Sequence, residues 1–134
     1  MAKFNVASRS LKDTFTLQLR DPASDELLFA DDEGLEPVTI ELFGTASKQY
    51  RNAMNEMMRK INARKGKAAS PSVQLEEGID FLVACSSSTQ HLSVDDEDVQ
   101  TAIQFRNMYN RADLNWIKKQ VDGAVSDDSN FLDK

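Results

Sequence analysis

A thiol and an imidazole six residues apart, Cys85 and His91, are the one pairing in this 134-residue chain that could act as nucleophile and base. Nucleophilic catalysis needs the base within hydrogen-bond reach of the thiol and a thiol that ionises readily. A separation of six matches no contact along a helix, and neither residue sits in a nucleophile elbow. Cys85 closes the apolar run "FLVAC", where a buried and inert thiol is the expectation. Two acidic clusters, Asp31 to Gly34 and Asp95 to Asp98, suggest Ca²⁺, but neither has the alternating oxygen ligands and closing Glu of an EF-hand loop. Turn chemistry accounts for the first and helix capping for the second. One His and one Cys make no zinc ligand set, and five scattered glycines make no phosphate cradle. The chain is therefore expected to hold no catalytic residue, metal or cofactor, and not to be an enzyme.

What the sequence offers instead is surface. The net charge is −6, yet residues 44–67 carry seven basic side chains and one acidic, between a segment of −5 before them and one of −7 after. A basic band between acidic segments suits self-association or an acidic partner better than nucleic acid, because the summed field repels phosphate. Within the band, Met54, Met57 and Met58 form a soft apolar stripe, suited either to irregular core packing or to an adaptable groove. Arg59, Lys60, Arg64 and Lys65 follow as a solvated helix end or as steering charges. Near the end of the chain, Leu114, Ile117, Val121, Ala124 and Val125 fall on one helical stripe, and the only tryptophan, Trp116, lies roughly 130° away from it. Trp116 either packs on a second element or serves as an outward-facing anchor.

The elements that must position these residues read as α+β: a small N-terminal antiparallel β-meander packed against a mainly helical remainder of about four helices. The polar, aperiodic residues 1–13 are expected to be a flexible arm, and residues 14–134 a single domain. Strands are expected within 14–43: "TFTLQL" and "VTIEL" alternate, the apolar run "LLFA" stands between turns at "RDPASDE" and "DDEGLEP", and a helix must cover the apolar face. Helices are expected within 45–132. The first has Gly44-Thr45 as break and cap; a linker near 66–72 follows, then a second helix from Ser72. "SSSTQH" reads as a polar loop. Asp95 is the expected N-cap of a third helix, with Val94 and Val99 as its hydrophobic staple and Val99, Ala102, Ile103 and Tyr109 on its buried side. Asp113 caps the fourth, whose end Phe131-Leu132 pins. No apolar run approaches the roughly 18 residues of a membrane span, "MAKFNVASRS" lacks the apolar core of a signal peptide, and a lone cysteine suits a reducing compartment.

The order "LQLRDPASDELL", "DEGLEPVTIELFGTASKQYRNAM" and "YNRADLNWIKKQVDGAVSDDSNFL" resembles the tail assembly chaperones of long-tailed bacteriophages, of the HK97-like type, from about Phe15 to Leu132. The resemblance implies a non-enzymatic protein of the host cytoplasm, absent from the mature virion. It would bind and solubilise the tape measure protein and help recruit tail tube subunits during tail morphogenesis. Many copies on one client imply some capacity to self-associate. The resemblance transfers no site residue. Residue chemistry alone nominates Trp116, Met57, Met58 and Phe131 for contact with client or neighbour, and Arg59, Lys60, Arg64 and Lys65 for steering. The alternative is a nucleic-acid-binding or other phage structural or adaptor protein using the basic segment 59–67.

Overall fold

In a computed structural model, residues 2–132 are described, so the last two positions of the expected domain lie outside them. The fold is α+β. A three-stranded antiparallel sheet has β2 (Thr39–Phe43) at its centre, β1 (Thr14–Gln18) on one side and β3 (Ser86–Gln90) on the other. β1 and β2 are the alternating segments, and Leu19, Ile40 and Leu42 are fully buried. β3 is the segment "SSSTQ", which the absence of apolar periodicity marked as a loop. Its side chains are instead held by neighbours. Thr89 Oγ1 donates to the Val99 carbonyl at 2.7 Å, and Ser86 Oγ lies 2.7 Å from the Tyr109 hydroxyl. The Gln100 amide reads the Thr89 backbone like another strand, donating to its carbonyl at 2.9 Å and accepting from its N–H at 3.3 Å. A polar strand is stable here because its hydroxyls and edge have partners.

The segment 20–37 leaves the sheet as a tongue. "LLFA" forms no strand and makes only single bridges, Arg20 with Leu27 and Phe29 with Pro37. At its base, Leu19 N–H donates to Val38, Val38 N–H to Leu28, and Leu28 N–H to Leu19, a closed ring of bonds of 2.9–3.1 Å. Only Leu28 of the run packs on the core; Leu27 and Phe29 are exposed. Asp21 and Asp31 accept backbone N–H groups of the tongue's turns, which is the turn chemistry expected at "RDPASDE" and "DDEGLEP".

Four longer helices complete the fold: α1 (Lys48–Ala63), α2 (Pro71–Ala84), α3 (Ala102–Asn110) and α4 (Asn115–Val125). Ser47, not Thr45, caps α1, and Ser70 caps α2 with Pro71 at its first position. α3 starts six residues later than Asp95 predicts. Asp95 and Asp96 take positive φ, 51° and 66°, and turn a small hairpin of β4 (Ser93–Val94) and β5 (Glu97–Asp98). Thr101 caps α3 through a capping box with Gln104. The later start re-aims the helix: Phe105, Met108 and Tyr109 are buried, and Ile103 is 72% exposed. Leu114, not Asp113, stands before α4, and the Arg111 guanidinium holds both Asp113 oxygens at 2.7 and 3.0 Å.

α4 buries Ile117, Val121, Ala124 and Val125, the stripe that its periodicity predicts. Gln120 ties α4 to the tongue, accepting from Arg20 N–H at 2.9 Å and donating to its carbonyl at 2.8 Å. Phe131 closes the chain end over Gly44, where an added Cβ would meet ring atoms at 2.5–2.7 Å, so only glycine allows this approach. The expected arm 1–13 is tied down over its last residues. Leu11 bridges Leu132, Lys12 N–H donates to the Phe131 carbonyl at 2.7 Å, and the Asp13 carbonyl accepts from Gly44.

Candidate binding surface

α1 and α2 form a helical hairpin, and their surroundings differ. α2 presents Ile79, Leu82 and Val83 to the core and its other side to α1. α1 has α2 as its main neighbour and buries no residue at all, contrary to the expectation that it covers the sheet. Tyr50 packs edge-on against Phe81 with ring centroids 5.1 Å apart, and ion pairs Lys60–Asp80 (3.4 Å) and Arg64–Glu77 clamp the far end. Asp80 also pairs with Arg106, joining α1, α2 and α3 through one carboxylate. Burial pushes that carboxyl up, but the Arg106 and Lys60 cations outweigh it and hold it below its ordinary value. Lys65 and Gly66, at φ 52° and 83°, turn the chain out of α1.

Two apolar surfaces of the hairpin are left open. One is a groove of about 380 Å³ with Ala53, Met57, Phe81 and Ala84 among its walls and Glu56, Lys60, Glu77 and Asp80 as charged lining. The other belongs to α1 itself. At about 100° per residue, Met54, Met58 and Ile61 share a sector of about 60° on α1. Met58 is 46% exposed and Ile61 41%. Val73 and Leu75 of α2 are exposed as well. Apolar side chains among paired charges can accept the apolar face of a helix without any chemistry at the contact.

The residues nominated from sequence are divided by the structure. Met57 lines the groove and Met58 stands on the open sector. Lys60 and Arg64 are spent on the α2 carboxylates, and Arg59 on Glu56 of its own helix at 2.6 Å, so of the four nominated cations only Lys65 has no ion pair among the described residues. Phe131 is 1% exposed and cannot meet a partner in this fold. Trp116 is half-buried against the core, on the wall of a cleft of about 240 Å³ with Leu28, Val38, Leu92 and Leu114. It is a packing residue at the core margin and not a free-standing anchor. Phe81, Ile61 and Val73 were not nominated. Phe81 lies off the core-facing stripe of α2, and asking what covers an off-stripe aromatic would have found it.

Cys85 and His91 lie at opposite ends of β3, which at about 3.3 Å per residue keeps them roughly 15–20 Å apart. Cys85 is fully buried, and burial pushes its thiol up to about 12. Among the described residues no group of three or more His, Cys, Asp or Glu side chains could hold a metal ion. No helix among them is long and apolar enough to cross a membrane. Comparison with protein-family models, with curated proteins and with solved structures found no match.

Proposed function

We propose that this protein is a non-enzymatic tail assembly chaperone of a long-tailed bacteriophage, binding and solubilising the tape measure protein through the α1–α2 hairpin and helping to recruit tail tube subunits. It acts in the host cytoplasm and is left out of the mature virion. The observation that carries the reading is the incomplete cover of α1. A 16-residue amphipathic helix with no buried residue keeps Met54, Met57, Met58 and Ile61 within reach of a client. A tape measure protein is long and helical, and before the tube encloses it, it exposes apolar surface prone to aggregate. A holdase for it needs methionine-rich apolar surface on a charged, soluble body, and methionine adapts to a client surface that varies along its length. The resemblance in sequence order supports the same reading. Nucleic-acid binding through 59–67 is less well supported, because Arg59, Lys60 and Arg64 are neutralised by carboxylates within the hairpin.

Co-expression with the tape measure protein, followed by a solubility assay and pull-down, tests this. The long protein becomes soluble and co-purifies with the wild type, and does neither with Met58→Asp/Ile61→Asp. A tape measure protein that stays insoluble in the presence of folded wild type removes the reading.

A further inference from the structure

The tongue and the hairpin turn carry opposite charge and matching apolar surface. Residues 20–37 hold seven carboxylates and one arginine, and residues 59–67 hold five cations and no carboxylate. Within one chain the two regions do not satisfy each other: among the described residues no ion pair joins them. Asp32, Glu33 and Glu36 of the tongue, and Lys65 and Lys67 of the turn, are exposed and without an ion pair. Each charged region also exposes large apolar side chains, Leu27, Phe29 and Leu35 (74% exposed) on the tongue and Met58, Ile61 and Val73 on the hairpin. Exposed apolar groups ringed by charge of one sign mark an interaction surface, and here the complement stands on the same chain.

We propose that the tongue of one copy docks on the hairpin turn of a second copy, with Asp32, Glu33 and Glu36 facing Lys65 and Lys67, and Phe29 and Leu35 meeting Ile61 and Val73. The contact joins two different surfaces, so a pair of copies still has one tongue and one turn free, and a row or ring of copies can form. Exposed ion pairs supply register and salt sensitivity, and the apolar contacts supply most of the affinity. This association does not rest on the chaperone reading, since it involves no client.

The experiment uses the purified full chain alone, by sedimentation velocity across protein concentration and salt. Two folded variants reverse the charges, Lys65→Glu/Lys67→Glu in the turn and Glu33→Lys/Glu36→Lys in the tongue, with thermal melts as the check on folding. The wild type self-associates at low ionic strength, and its apparent Kd rises at least about tenfold toward 0.5 M salt. Each variant alone associates at least about tenfold more weakly than wild type, because the side chains that face each other at positions 33 and 36 and at 65 and 67 now carry the same sign. An equimolar mixture of the two variants recovers association. A wild type that remains monomeric at low salt and high concentration overturns the proposal. So do association that survives both reversals, loss with one reversal only, and a mixture that fails to recover.

Discussion

α4 buries Ile117, Val121, Ala124 and Val125, whereas α1, longer at 16 residues against 11, buries none of its side chains. Both helices have apolar residues at helical spacing. The difference lies in what surrounds them. α4 packs on β2 and α3 and is tied to the tongue through Gln120 and to the chain end through Asn130, whose amide donates to the Ala124 carbonyl at 3.1 Å. α1 touches mainly α2, through one aromatic pair and two ion pairs. Periodicity therefore says which side of a helix is apolar, and not whether anything covers that side. A helix built like α4 holds the fold together. A helix built like α1 is available to something else.

Substitutions sort along that contrast. On the α4 side, Phe131→Ala removes a fully buried ring packed against Phe15 and Gly44, and costs about 3–5 kcal/mol. Ile117→Ala costs about 2–4 kcal/mol on the same grounds. Urea unfolding checks both as a lower midpoint with unchanged slope, and losses below 1 kcal/mol would mean that α4 is no better packed than α1.

The connection between the two regions is worth less. Thr101→Ala opens the capping box of α3 and costs about 1 kcal/mol. Asp80→Asn removes the carboxylate shared by Arg106 and Lys60 and, with the side chain 29% exposed, costs about 1 kcal/mol. Its pH dependence has a definite sign. The folded carboxyl titrates below its unfolded value of about 3.9, so its contribution is present above that pH and is lost as pH falls through the folded value. Acid unfolding followed at fixed urea is accordingly flatter below about pH 4 in Asp80→Asn than in wild type. Identical profiles would remove Asp80 from the account.

At the small end, Met58→Ala and Ile61→Ala each change stability by less than about 0.5 kcal/mol. Amide hydrogen exchange gives the finest comparison. α1 amides open with lower free energy than those of α4, and equal protection in the two helices would mean that α1 has a cover not seen here.

Much of this architecture was legible in the residues. The alternation of β1 and β2, the two helical patterns of α1 and α2 on either side of a linker, the buried stripe of α4 and the closing apolar pair Phe131-Leu132 could all be read from the order and spacing of apolar residues. β3 was not legible, because "SSSTQ" is held by the Leu82 and Val99 carbonyls, the Gln100 amide and the Tyr109 hydroxyl rather than by apolar burial. The start of α3 misled for a related reason. Asp95 to Asp98 is acidic enough for a helix N-terminus, and Asp also tolerates the left-handed backbone that turns the β4–β5 hairpin. At the candidate surface, Met57 and Met58 were identifiable from type and spacing. The fates of Trp116, Lys60 and Arg64 were not, since each depends on a partner brought near only by tertiary packing: the Leu28 and Val38 wall, Asp80 and Glu77.

The most direct test of the central claim is a pull-down of a co-expressed tape measure protein by Met58→Asp/Ile61→Asp, with thermal melting of the same variant measured in parallel. The uncovered α1 predicts loss of the client with the melting temperature within about 2 °C of wild type. Full capture of the client by the variant would contradict it, and so would a collapse in melting temperature, which would show that α1 belongs to the core after all.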